Sequence, residues 1–140
     1  GHAMHPAARS EPLPMRLRPG DDLRAALERE VPARGVSAAF VIAGIGSLRP
    51  ACLRLAGASA SVEVAGDTEI LTLSGTVATD GSHLHLSVSD AQGQVFGGHV
   101  APGCIVRTAA EVLVLLLPGW LFSREADAAT GYAELVAKPR

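Results

Sequence analysis

The spacing of hydrophobic residues changes character once along the chain. Between Leu23 and Val31 the apolar residues Leu23, Ala26, Leu27 and Val31 recur at helical intervals, one stripe of an amphipathic helix. Asp21 or Asp22 offers an N-cap, and Arg34-Gly35 supplies a stop. Beyond that point the period shortens to two. Ala38 to Ile42 is a continuous apolar run that ends at Gly44-Ile45-Gly46, which predicts a buried strand with a tight exit. Cys52-Leu53-Arg54-Leu55 and Ser61-Val62-Glu63-Val64 alternate as short strands, and Thr68 to Val77 alternates over a longer one.

His83 to Ser89 and Val95 to Val100 follow as two more strands. Cys104 to Leu117 is too rich in β-branched residues for an obvious helix, although Thr108-Ala109-Ala110-Glu111 has the composition of one turn. Tyr132 to Ala137 is expected to close the sheet, and Met15-Arg16-Leu17-Arg18 to open it. The pattern is α+β: a mostly antiparallel sheet with one main helix near the N-terminus. Residues 15–137 form the expected single domain and 138–140 a tail. Residues 1–14, with Pro6, Pro12 and Pro14, read as a flexible arm whose first residues, Gly1-His2-Ala3-Met4, resemble a tag remnant before a native start at Met4.

Composition narrows the class. A chain of 140 residues with 48% apolar, 19% charged and 4% aromatic content suits one domain with an aliphatic core. A net charge of −2 removes any general electrostatic case for nucleic acid or acidic membranes. The greasiest stretch, Val112 to Leu117, stops at Pro118-Gly119 and is far too short to span a bilayer. No signal-peptide pattern precedes the domain, so the cytoplasm is the expected compartment. Cys52 and Cys104 lack CxxC spacing and are expected to pack as small buried hydrophobes.

One constellation carries chemistry. His83 and His85 are two apart on a predicted strand, so both side chains leave the same face. The connection Asp90-Ala91-Gln92-Gly93 suits a type I turn followed by a left-handed glycine. In that register Asp90 pairs with Gln94, and counting back sets His85 opposite His99. Directly opposed residues share a face with Cβ atoms about 4.5–5.5 Å apart. A two-residue loop would instead pair Leu86 with His99 and send that imidazole to the other face, and a bulge at Gly97-Gly98 would also change the count. If the first register holds, three imidazoles converge as the ligand set of an open zinc site, with a fourth position for water or substrate.

Other features have plainer readings. Gly44-Ile45-Gly46 lacks the helix start and the Lys-Ser/Thr of a phosphate loop. Ser47, Ser74 and Ser87 sit in no nucleophile elbow. Arg107 and Glu111 suggest a salt bridge at a subunit contact or sheet edge. Trp120 and Phe122 read as core or interface anchors.

From about residue 15 to 137 the chain resembles the plants-and-prokaryotes-conserved (PPC) domain. The resemblance rests on Pro19-Gly20-Asp21-Asp22-Leu23, on Ala43-Gly44-Ile45-Gly46-Ser47-Leu48 and on Thr68 to Thr76. It continues through His83 to Asp90, Gly93, Gly97-Gly98-His99 and Gly103-Cys104 to Ala110-Glu111-Val112. It implies a compact α+β fold assembled as a homotrimer, with His83, His85 and His99 matching the H-x-H…G-G-H pattern that binds a metal, typically zinc. Plant relatives join this domain to AT-hooks that hold AT-rich DNA. This chain has no Arg-Gly-Arg-Pro core and only one Lys, so that role does not carry over.

Three functional expectations follow. The first is a stand-alone homotrimer that binds a divalent metal through the three histidines and presents it to a small ligand or partner, with no reaction assigned. The second is a DNA-associated regulator, which Arg9, Arg16 and Arg18 would serve as a weak basic strip. The third is a metal-dependent enzyme on a small polar substrate, which needs a carboxylate such as Glu69 or Glu111 near the metal.

Overall fold

In the computed structural model, which describes residues 9–140, eleven elements follow one another. They are β1 (Glu11–Leu17), α1 (Leu23–Ala33), β2 (Ala38–Leu48), β3 (Ala51–Arg54), β4 (Ser61–Val64) and β5 (Thr68–Ala78). After them come β6 (Gly81–Asp90), β7 (Val95–Val100), β8 (Val106–Leu116), β9 (Trp120–Ala126) and β10 (Ala133–Pro139). The expected tag remnant and residues 5–8 of the expected arm lie outside the described residues.

Eight strands form one antiparallel sheet in the order β1-β8-β2-β5-β6-β7-β3-β4. The helix covers one face of it. Asp22 caps α1 by accepting from the Ala25 amide at 3.0 Å, and its other carboxylate oxygen accepts from Gly103 at 2.7 Å. Leu23, Ala26, Leu27 and Val31 are all buried, the stripe that the spacing predicts. They pack on Val41, Leu53, Leu73, Leu84 and Val112 from five strands in one aliphatic core.

The strands differ from expectation in four places. β1 begins at Glu11, inside what reads as an arm, because it is an edge strand, where proline is tolerated. Pro12 and Pro14 stand opposite Leu115 and Leu113 of β8. Gly44-Ile45-Gly46 is not a strand exit but the middle of β2, where a side chain on Gly46 would collide with the Ala109 carbonyl and Ala110 of β8. Thr108 to Glu111 is strand throughout, part of β8, which pairs with β1 and β2 on its two sides from Ala110 onward. Finally, β10 does not close the main sheet; it pairs with β9 in a separate hairpin.

That hairpin is docked rather than paired. Phe122 is buried against Ala38 and Ala78, with its ring edge-on to Phe40 at 5.9 Å, and its carbonyl accepts from Thr79 at 3.0 Å. Trp120, the other expected anchor, is half exposed. Cys104 is fully buried and bonds the Cys52 carbonyl through its thiol at 3.1 Å. Burial pushes its pKa up to about 11, so it is an unreactive core group. Arg107 pairs with Asp67 at 3.3 Å within the chain, whereas Glu111 stands exposed across from Arg16.

Candidate metal centre

The β6–β7 hairpin decides where the histidines point. Its turn closes through the Asp90 amide on the Gln94 carbonyl at 2.9 Å and the Gly93 amide on the Asp90 carbonyl at 3.0 Å. Gly93 adopts φ of 80°, and the Asp90 side chain accepts from the amides of Gln92 and Gln94. This is the three-residue connection, and pairing runs without interruption from Ser89↔Val95 to His85↔His99. Gly97 and Gly98 do not bulge. Gly98 instead makes room for β3, since a side chain there would stand 2.7 Å from the Arg54 carbonyl oxygen.

His83, His85 and His99 therefore share the sheet face that α1 does not cover, while Leu84, Leu86 and Val88 between them enter the core. The ring centres are 4.9 Å apart for His83 and His85, 4.9 Å for His85 and His99, and 5.3 Å for His83 and His99. One nitrogen from each ring lies within 4.8 Å of the others. Zn–N bonds of about 2.0–2.1 Å in a tetrahedral shell set such nitrogens about 3.3 Å apart, so small side-chain rotations bring the triad onto an ion. His83 and His85 are exposed and His99 half-buried, which leaves one side of the triad open. A donor set of three imidazoles with an open side fits a divalent zinc-like cation.

Two segments distant in sequence wall the site. On one side Thr76 lies opposite His83, and Arg124 of β9 donates to the Thr76 hydroxyl at 2.8 Å. On the other side Arg54 of β3 is the register partner of His99. Burial lowers the pKa of His83, and the Arg124, His85 and His99 charges add to that effect while Glu134 opposes it. Burial likewise lowers the pKa of His99, helped by Arg54 and His85. Both rings are thus held toward the neutral form that ligates metal.

The carboxylates singled out from the sequence do not join the triad. Glu69 pairs with Ser89, five residues along β5 from the partner of His85, about 16 Å away. Glu111 is on β8, three strands from β6, which is about 14 Å across the sheet alone. The carboxylate whose charge His83 feels is Glu134 of β10. Arg54, Arg124 and Glu134 carried no local signal in the sequence, because their approach depends on how the two outlying hairpins dock.

An antiparallel sheet with one covering helix, and an imidazole triad on its open face, defines a histidine-bearing α+β domain. The chain belongs to the Plants and Prokaryotes Conserved (PCC) domain family, whose pattern matches residues 4–118. It is similar to a bifunctional protein GlmU from Synechococcus sp. (strain JA-2-3B'a(2-13)), 47% identical over 126 residues, covering 90% of this chain and 20% of that protein. The chain thus spans about a fifth of the length of the curated relatives it matches. A hypothetical protein from Salmonella cholerae-suis has the same fold, with a TM-score of 0.90 and 39% identity over 97% of this chain and 99% of that one. A metal-containing protein from Archaeoglobus fulgidus superposes with a TM-score of 0.78 and 29% identity over 90% and 93% of the two chains.

Proposed function

We propose that this PCC domain binds one divalent cation, zinc by preference, through His83, His85 and His99, and that its task is to present that ion to a small ligand or partner. The observation that carries this reading is the convergence of three ring nitrogens within 4.8 Å on an open face. The likeness to a metal-containing protein from Archaeoglobus fulgidus supports it. A bound ion supplies Lewis acidity there. The chain's own contribution is to hold three neutral imidazoles in place on paired strands and to leave one side accessible.

The reading includes a homotrimer working in the cytoplasm. Its support is the sheet face opposite α1, where Phe40, Ile42, Ile45, Leu71 and Leu113 are exposed. An apolar face of this kind is expected to be covered in solution. Among the described residues, no helix is long and apolar enough to cross a membrane.

The test is metal content by mass spectrometry on protein purified without a nickel column, beside a His83→Ala/His85→Ala variant. About one zinc per chain in the wild type and none in the variant is the expected result. No metal in either protein overturns the metal reading. Sedimentation at micromolar concentration checks the assembly, and a monomer there overturns the trimer.

A further inference from the structure

Beside the triad lies a cavity of about 330 Å³ whose walls include Arg24, Arg54, Ser59, Ser61, His83 and His99. It exists because β6 outruns its partner. Pairing with β7 stops at His85↔His99, and β7 then turns to β3, so the edge of β6 from Ser82 to Leu84 faces open space. The volume is at the small end of ordinary ligand pockets, about 300–1,000 Å³.

The charged side chains that line this cavity, Arg24 and Arg54, are both positive. Among the described residues, no carboxylate lines it. Arg54 donates only to the Ala58 carbonyl at 3.2 Å and has no acidic partner within 4.0 Å among the described residues. Arg24 pairs with Glu28 at 2.8 Å through Nε, while its Nη1 reaches only the Val100 carbonyl, at 3.4 Å. Glu28 is in turn held by the Ser82 hydroxyl at 2.6 Å, which fixes the Arg24 side chain at the cavity wall. The guanidinium fork matches carboxylate and phosphate oxygens, and the two serines add hydroxyl donors. Three neutral imidazoles leave the full charge of a divalent ion uncompensated, which adds to the demand for an anion.

We propose that this cavity binds a small organic oxyanion, a carboxylate or a phosphate ester, with its charge on Arg54 and Arg24 and its body against the open side of the histidine triad. The proposal rests on the metal reading for the role of the triad, and on the arginines and serines alone for the anion.

Cobalt(II) replacing zinc gives a visible spectrum that reports both parts separately. One cobalt per chain reads the histidines; a further spectral change on titrating glycolate or methyl phosphate reads the cavity. Saturable change with at least one of the two anions is expected, and the one that binds tighter identifies the class. Arg54→Ala and Arg54→Gln are expected to keep cobalt stoichiometry and to weaken the anion at least about tenfold, the loss of a charge-assisted hydrogen bond. A cobalt spectrum that neither anion moves, or an unchanged anion affinity in both Arg54 variants, overturns the proposal. If no cobalt binds, calorimetric titration of the metal-free protein with the same anions decides it: Arg54-dependent heat supports the anion site, and no heat overturns it.

Discussion

The two faces of the main sheet are made by alternate residues of the same strands, yet they do different work. On β6, Leu84, Leu86 and Val88 are buried in the core, while His83 and His85, which alternate with Leu84 and Leu86, stand exposed on the other side. The covered face gains its stability from aliphatic burial and is indifferent to charge. The open face buries little of its own, and its chemistry is set by what two outlying hairpins bring to it. Stability and function are thus separable by side-chain direction, with the backbone of β5 and β6 as the shared frame.

The sharpest break in that comparison is on the covered face. Leu27→Ala removes a fully buried side chain between the helix and the sheet, and a loss of about 2–5 kcal/mol is expected in urea unfolding. Metal affinity, measured well below the melting temperature, should stay within about twofold of wild type. A large loss of metal affinity in the folded variant would show that the faces are not independent.

His85→Ala is the mirror experiment. Metal affinity should fall at least about 100-fold, since even outer partners of a metal ligand cost up to that much. Unfolding of the metal-free protein should move by no more than about 0.5 kcal/mol, because the side chain is exposed. Competition titration with a chromogenic chelator measures the first quantity and urea unfolding the second.

Gly75 couples the two faces. It sits on β5 at φ of 149°, and a side chain there would run into the His83 carbonyl oxygen. Gly75→Ala should therefore cost about 1–3 kcal/mol and also weaken metal binding by displacing His83. Unchanged metal affinity despite lost stability would mean that β6 yields without moving its imidazole.

A smaller effect is expected from Ile45→Asp, on the exposed apolar face. Monomer stability should change by about 0.5 kcal/mol or less, while sedimentation shifts toward smaller species if that face is an interface. An unaltered sedimentation coefficient would place the contact elsewhere.

The mildest effect is that of pH. The pKa values of His83 and His99 are lowered from the ordinary 6.5, first by burial and then by Arg124 and Arg54 respectively. The unfolded chain therefore takes up protons before the folded one. Stability of the metal-free protein should be unaffected by these groups above about pH 7 and decline as pH falls through about 6.5. It should level off once the folded rings are protonated too. Metal affinity should hold to a lower pH than a free imidazole would allow, and a midpoint of metal loss at or above 6.5 would contradict that.

Much of this was legible in the chain because it is local. The helix follows from four apolar residues on one stripe and a capping Asp22. The shared face of His83 and His85 follows from the strand period, and their meeting with His99 from a turn of three residues that Asp90 and Gly93 specify. Local geometry left the alternative registers open, and hydrogen bonding across the hairpin removed them.

What tertiary structure alone decided is non-local. Pro12 and Pro14 read as an arm because proline cannot serve a central strand, and only the placement of β1 at the sheet edge makes them compatible with pairing. Tyr132 to Ala137 reads as a closing strand, yet β10 pairs with β9 in a hairpin that docks through Phe122 and brings the Arg124 and Glu134 charges to His83. Arg24 and Arg54 are 30 residues apart and face one cavity because β6 extends past the end of β7. Periodicity specifies which way a side chain points from its own strand; which charges then meet depends on the order and lengths of strands across the sheet, which no local pattern encodes.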